Sequence, residues 1–257
     1  MTPIPAELLT LFGSGLWHGA VVFLRVGAIA SLLPGFGEQS VPMRIRLVLG
    51  LAFAVIVAPA VPPFEMPDSM GGFAALALSE TAIGLAFGLG VRLFVLALQT
   101  AGSIAAQSTS LSQLLGGSVS EPVPAMGHIL VVGGIALAML FGLHLRAVEM
   151  MIGSYTLFAP GQMPSAAALT PWGVGRIARA FSLAFSLSAP FAIAALVYNL
   201  ALGVINRAMP QLMVAFVGAP VITAGGLILL MLGAPLILSV WVDALGAFMA
   251  NPVGDLP

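Results

Sequence analysis

The sequence predicts an all-α membrane protein of about six long, tilted hydrophobic helices, with a polar re-entrant segment between the third and fourth. Three observations predict it. Of 257 residues, 60% are hydrophobic and only 7% charged, where soluble domains carry about 25% charged residues. Apolar runs near the ~20 residues that a spanning helix needs recur six times. Between two of them lies 99–124, QTAGSIAAQSTSLSQLLGGSVSEPVP, rich in Ser, Gln, Gly and Thr and uncharged until Glu121. No soluble domain is visible, so residues 1–257 read as a single integral membrane domain.

The N-terminus, MTPIPAELL, lacks the positive flank of a signal peptide, so the first apolar run is expected to be retained. That run, 8–33, contains His18 and Arg25 and stops at Pro34-Gly35. The second, 47–61, is short and ends among Pro59, Pro62 and Pro63. The third, 70–98, carries Glu80 and Arg92, and the fourth is 125–143. The fifth, 174–205, contains Pro190, where a kink is expected. The sixth, 212–242, contains Pro220 and Pro235. The last two exceed a simple span, which predicts tilt or extension beyond lipid. The joins are short, and 145–173 reads as a connector with an irregular Pro/Gly/Ala-rich piece.

Six spans put both termini on one side. Arg44, Arg46 and Arg207 fall in the first, third and fifth loops, and Arg146, Arg176 and Arg179 fall opposite, a tie under the positive-inside rule. The acidic residues on the terminal side then point to both termini outside.

The composition excludes several function classes. A net charge of −1 without a basic cluster argues against nucleic-acid binding. There is no cysteine, and His18, His128 and His144 are scattered outside any H-E-x-x-H pattern, so no metal site or other cofactor is expected. No serine stands in G-x-S-x-G or S-x-x-K, and no P-loop occurs. The chain is not expected to be an enzyme.

Ionisable residues inside apolar spans cost several kcal/mol unless paired or hydrated. Arg25, Glu80 and Arg92 are such residues. Glu80 and Arg92 lie about 18 Å apart along one helix axis and cannot pair with each other. Each needs a partner from another helix, another subunit or water. With Arg44 and Arg46 they form a set of interhelix or intersubunit charges; a proton path is the rival reading, weakened because no chain of carboxylates follows Glu80. Gly15-x-x-x-Gly19 and Gly84-x-x-x-Gly88 permit close helix approach. Small and polar residues around Ser79–Gly84 and Ser182–Asn199 suit faces covered by protein, as in a subunit of an assembly.

The stretch 99–124 has two readings. Irregular backbone at membrane depth is tolerated where it is enclosed by protein or lines water, and uncharged hydroxyls and amides suit such a path. An extramembrane connector fits equally well. Ile104, Leu111 and Leu115 lie close to one helical face, so part of it can be helical.

Three stretches together resemble a known family. They are GEQSVPMRIRLVLGLAFAVIVAP after the first run, ETAIGLAFGLGVRLFVLALQTAGSIAAQ leading to Glu121-Pro122, and NLALGVINRAMPQLMVAF between the last two runs. They resemble the FliR family of flagellar export-gate subunits and its injectisome counterpart SctT, over nearly the whole chain. The N-R-x-x-P-Q-L turn is the most specific part. The family usually has Asp-Pro and more aromatic or methionine character where this chain has Glu121-Pro122 and a serine-rich run.

The resemblance implies a structural and gating subunit of the type III protein-export gate. It would sit in the bacterial inner membrane, at a flagellar basal body or an injectisome base. It implies FliP-like and FliQ-like partners, an FlhB-like subunit, unfolded export substrates and surrounding inner-membrane lipid, with the last helix pair mimicking a FliQ-like hairpin. It makes 99–124 a plug, with Gln107, Ser108, Ser110, Ser112, Gln113, Gly116 and Gly117 lining the pore. It places Asn206, Arg207, Pro210 and Gln211 in a loop at the cytoplasmic mouth. The rival class is a secondary transporter for a small solute, with helices broken at Pro190, Pro220 and Pro235; no duplicated half supports it.

Overall fold

A computed structural model of the protein describes residues 6–110, 125–209 and 214–254, and every regular element among them is helical. The helices are α1 (Ala6–Leu32), α2 (Met43–Val57), α3 (Met70–Ser110), α4 (Ala125–Leu140), α5 (Leu143–Leu157), α6 (Ala166–Ala208) and α7 (Val214–Ala250). Among the described residues, five helices are long and apolar enough to cross a membrane, or six if the bent pair α4–α5 counts as one span.

Local sequence explains the boundaries. After α1, Gly35 adopts a left-handed conformation (φ +80°), and the Gly37 N–H bonds back to the Leu33 carbonyl at 2.8 Å, a closure that favours glycine. Pro42 precedes α2, where its fixed φ suits a helix start, and Pro59 sits in the 3-10 turn Ala58–Ala60 that ends it. Gly142, at φ +78°, takes the left-handed conformation open to glycine in the join between α4 and α5.

Three expectations need correction. The third helix does not stop at residue 98 but runs on to Ser110. Two hydroxyls of the extension are satisfied within the helix: Ser108 Oγ donates to the Ile104 carbonyl at 2.7 Å and Thr109 Oγ1 to that of Ala106 at 2.9 Å, so they do not interrupt it. The connector 145–173 contains helix α5, whose inner face buries Ala147, Met150 and Met151; only its later part, before Ala166, is irregular. The last two helices are longer than their apolar runs, and α6 and α7 continue through Pro190, Pro220 and Pro235. The broken helices that a transporter reading relied on are therefore absent at these three prolines.

The chain divides into two compact units. The first holds α1, α2, α3 as far as Arg92, α5, α6 as far as Arg176, and the chain from Gly246. Its core packs Val22, Val26 and Ile29 of α1, and Leu33 just after it, with Ile83, Phe87 and Val91 of α3. Glycine brings these helices together: a Cβ on Gly84 would overlap the Arg25 carbonyl, and one on Gly88 would press on Leu32 at 3.0 Å. Gly15 and Gly19, the other spaced pair, have no neighbouring part of the described residues within 4 Å of such a Cβ. Trp172 Nε1 and Arg176 Nη2 both donate to the Pro252 carbonyl at 2.9 Å, holding the C-terminal turn.

The second unit holds the rest of α3, α4, α6 and α7. Leu98, Ala101 and Ala105 of α3, Leu130 of α4, Leu187 and Phe191 of α6, and Trp241 of α7 are buried in it. Trp241 Nε1 donates to the Phe94 carbonyl at 2.7 Å, and the Tyr198 hydroxyl to that of Gly218 at 2.8 Å.

Candidate functional site

In the first unit, α1 and α3 cross where Gly84 removes a side chain, and this brings Arg25 against Glu80. Arg25 Nε donates to Glu80 Oε2 at 2.8 Å and Nη2 to Oε1 at 2.9 Å, with both side chains fully buried. The two-pronged geometry matches a planar guanidinium to a planar carboxylate. Arg25 Nη1 donates at 3.0 Å to the carbonyls of Ser154 and Phe158, and Glu80 Oε1 accepts the Gly161 N–H at 3.1 Å. Gly161 is at φ +73°, so a Cβ there would be strained. The Tyr155 ring lies 4.0 Å from the guanidinium carbon, within cation–π range. The network thus ties α1, α3, α5 and the segment after α5 together.

Arg92 Nη1 donates to Glu38 Oε1 at 2.6 Å, each side chain 23% exposed. A pair still reached by solvent is worth little, about 0–1 kcal/mol for the typical surface case. Arg92→Gln is accordingly expected to lower the melting temperature of the purified protein by no more than a few degrees; a collapse would show that the pair is not merely peripheral. Arg44 is exposed and Arg46 half-buried in the first turn of α2, and neither joins an ion pair among the described residues.

The polar stretch divides at Ser110. Gln107, Ser108 and Ser110 lie on the last turns of α3, Gln107 exposed and Ser108 buried. Ser112, Gln113, Gly116 and Gly117 fall outside the described residues. In the second unit α3 meets the start of α4 through two glycines: a Cβ on Gly102 would overlap the Gly127 backbone. Gly226 of α7 likewise leaves room for the Thr109 side chain.

Asn206 and Arg207 are exposed on the last turn of α6, while Pro210 and Gln211 fall outside the described residues. Arg207 closes an open groove along one face of α6, lined also by Leu196, Asn199, Leu200, Gly203 and Val204. A cation in a helix's last turn is favoured by the carbonyl end of the dipole.

Residues 16–248 match the family described as bacterial export proteins, family 1. The chain is also 36% identical over 228 residues to the flagellar biosynthetic protein FliR of Caulobacter vibrioides, covering 87% of this chain and 91% of that protein. The chain belongs to the FliR family. The proteins of the same name from Escherichia coli and Bacillus subtilis are 29% and 28% identical, each over 83% of its length. In this FliR-family chain the matched stretch contains Arg25, Glu80, Arg92 and the α6–α7 turn.

Several members of the buried network were not legible in the sequence. The Ser154 and Phe158 carbonyls and the Gly161 N–H are backbone groups, which any residue type supplies. Tyr155 and Glu38 carried no pattern that marked them as partners. The Gly102–Gly127 approach had one usable signal, a glycine in each of two segments flanking the same polar stretch.

Proposed function

We propose that this chain is a structural and gating subunit of the flagellar protein-export gate in the bacterial inner membrane, not an enzyme. The observation that carries the reading is the family match over nearly the whole chain. The names of the relatives favour a flagellar over an injectisome setting. The physical features agree with an assembly subunit. Exposed large apolar side chains such as Leu196, Leu200 and Val204 on α6, and Val48, Val55 and Ile56 on α2, suit lipid or neighbouring subunits. The partners are FliP-like and FliQ-like subunits and an FlhB-like subunit.

The gating element is the polar stretch, uncharged until Glu121, that begins on the last turns of α3 and continues to residue 124. An unfolded chain in transit should meet neither strong charges nor deep apolar pockets, since either would hold it. Hydroxyls and amides bind weakly to many sequences. Introducing aspartates at Gln107, Ser112 and Gln113 is expected to raise ion leak or reduce export of flagellar substrates while the gate still assembles. Leak and export both unchanged, in an assembled gate, would remove the plug role.

A further inference from the structure

We propose that the open groove on α6 is a docking site for an anionic phospholipid, with the headgroup phosphate held at Arg207 and one acyl chain laid along the helix. The argument starts from spacing. Leu196, Asn199, Leu200, Gly203, Val204 and Arg207 line the groove, and their alternating intervals of three and one keep them on one face of α6. All six belong to the second unit. Leu196, Leu200 and Val204 are 68%, 70% and 67% exposed, so none of the described residues covers this face. Gly203 gives the groove its depth: a Cβ there would meet nothing within 4 Å.

Charge and length select the occupant. Arg207 is exposed at one end and joins no ion pair among the described residues. Its planar guanidinium matches a phosphate through paired N–H donors. The rest of the groove carries no charge. Asn199, the one other polar residue lining it, already donates its Nδ2 to the Ala195 carbonyl of its own helix at 2.8 Å. From Leu196 to Arg207 the helix rises about 16 Å, close to half of the ~30 Å hydrocarbon core and so to the depth of one leaflet. One cation at the end of α6, followed by one leaflet's depth of apolar wall, has the layout of a lipid with a net negative headgroup. A zwitterionic headgroup would bring a second cation to Arg207. A neighbouring helix would need a carboxylate at that level. The site rests on the chain's place in a membrane and not on the gating role.

Photolabelling of the intact chain in phosphatidylcholine vesicles tests the site. The probe is a trace of phosphatidylglycerol, or of phosphatidylcholine, carrying the same photoactivatable acyl chain, and the labelled positions are mapped by peptide mass spectrometry. Phosphatidylglycerol is expected to label 196–204 about fivefold more than phosphatidylcholine, the preference that one basic residue near the headgroups supplies. Equal labelling overturns the proposal. Arg207→Gln is expected to bring the two probes level, while Arg44→Gln, outside the groove, leaves the preference intact; a preference that survives Arg207→Gln overturns the assignment of the headgroup. Gly203→Leu, which fills the groove where there is open space, should cut labelling from phosphatidylglycerol several-fold, and an unchanged yield overturns the acyl path. In the assembled gate the labelling should persist. Its loss there would show that a subunit helix takes this face, which also overturns the proposal.

Discussion

Arg25→Ala is expected to destabilise the protein by about 3–5 kcal/mol, the range seen when one partner of a buried ion pair is removed. The Glu80 carboxylate would remain fully buried, with the Gly161 N–H as the one remaining donor to it among the described residues. The Ser154 and Phe158 carbonyls would lose the donor they share, so the segment after α5 would loosen with the pair. Glu80→Ala is expected to cost a similar amount by stranding the guanidinium. Paired replacement, Arg25→Met with Glu80→Leu, should recover much of the loss, because it strands no charge and fills similar volume. Thermal melts in detergent check all three. A single variant that melts within a few degrees of the parent would sink the reading of this pair as a closed structural lock, and a double variant as unstable as the singles would show that the carbonyl contacts dominate.

Gly102→Val is expected to be the most damaging change in the second unit. Its Cβ would overlap the Gly127 backbone, which cannot move aside as a flexible side-chain end can. Overpacking typically costs 1–3 kcal/mol, and contact with backbone places this case at about the upper end. The mirror change is predicted to be mild. A Cβ on Gly127 would lie 3.5 Å from the Gln99 carbonyl oxygen and 3.7 Å from Gly102, which is ordinary contact. Gly127→Ala should therefore be tolerated while Gly102→Ala should not. Because the crossing holds α3 where the polar stretch begins, the damaging variant should also reduce export in a motility assay. Equal tolerance at both positions would contradict the close approach.

The sequence was most informative where a single physical requirement leaves a compositional trace. Six apolar runs and 7% charged residues made the helical membrane class readable, since lipid demands internal backbone pairing and excludes charge. It was also informative about need: Glu80 and Arg92 could not serve each other along one helix. It was least informative at helix ends. Residues 99–110 stand apart from the third run because Ser, Gln and Thr interrupt its apolar pattern, yet the Ser108 and Thr109 hydroxyls bond their own helix's carbonyls. Helix α5 was hidden by Arg146 and Glu149, both exposed, on a segment whose other face is core.

The sequence by itself determined the solvent this chain is built for, the number and order of its apolar runs, and the family to which its motifs belong. Only the tertiary structure decided which charges meet. Arg25 found Glu80 and not Arg92, and Arg92 found Glu38. It also decided that one glycine pair packs helices within the chain while another meets no neighbour among the described residues. The reason is range. Hydropathy and helix periodicity are properties of neighbouring residues, written locally. A salt bridge across 55 positions, or a hydrogen bond donated to a carbonyl 129 positions away, depends on how helices cross, and backbone groups that complete such a network have no letter of their own.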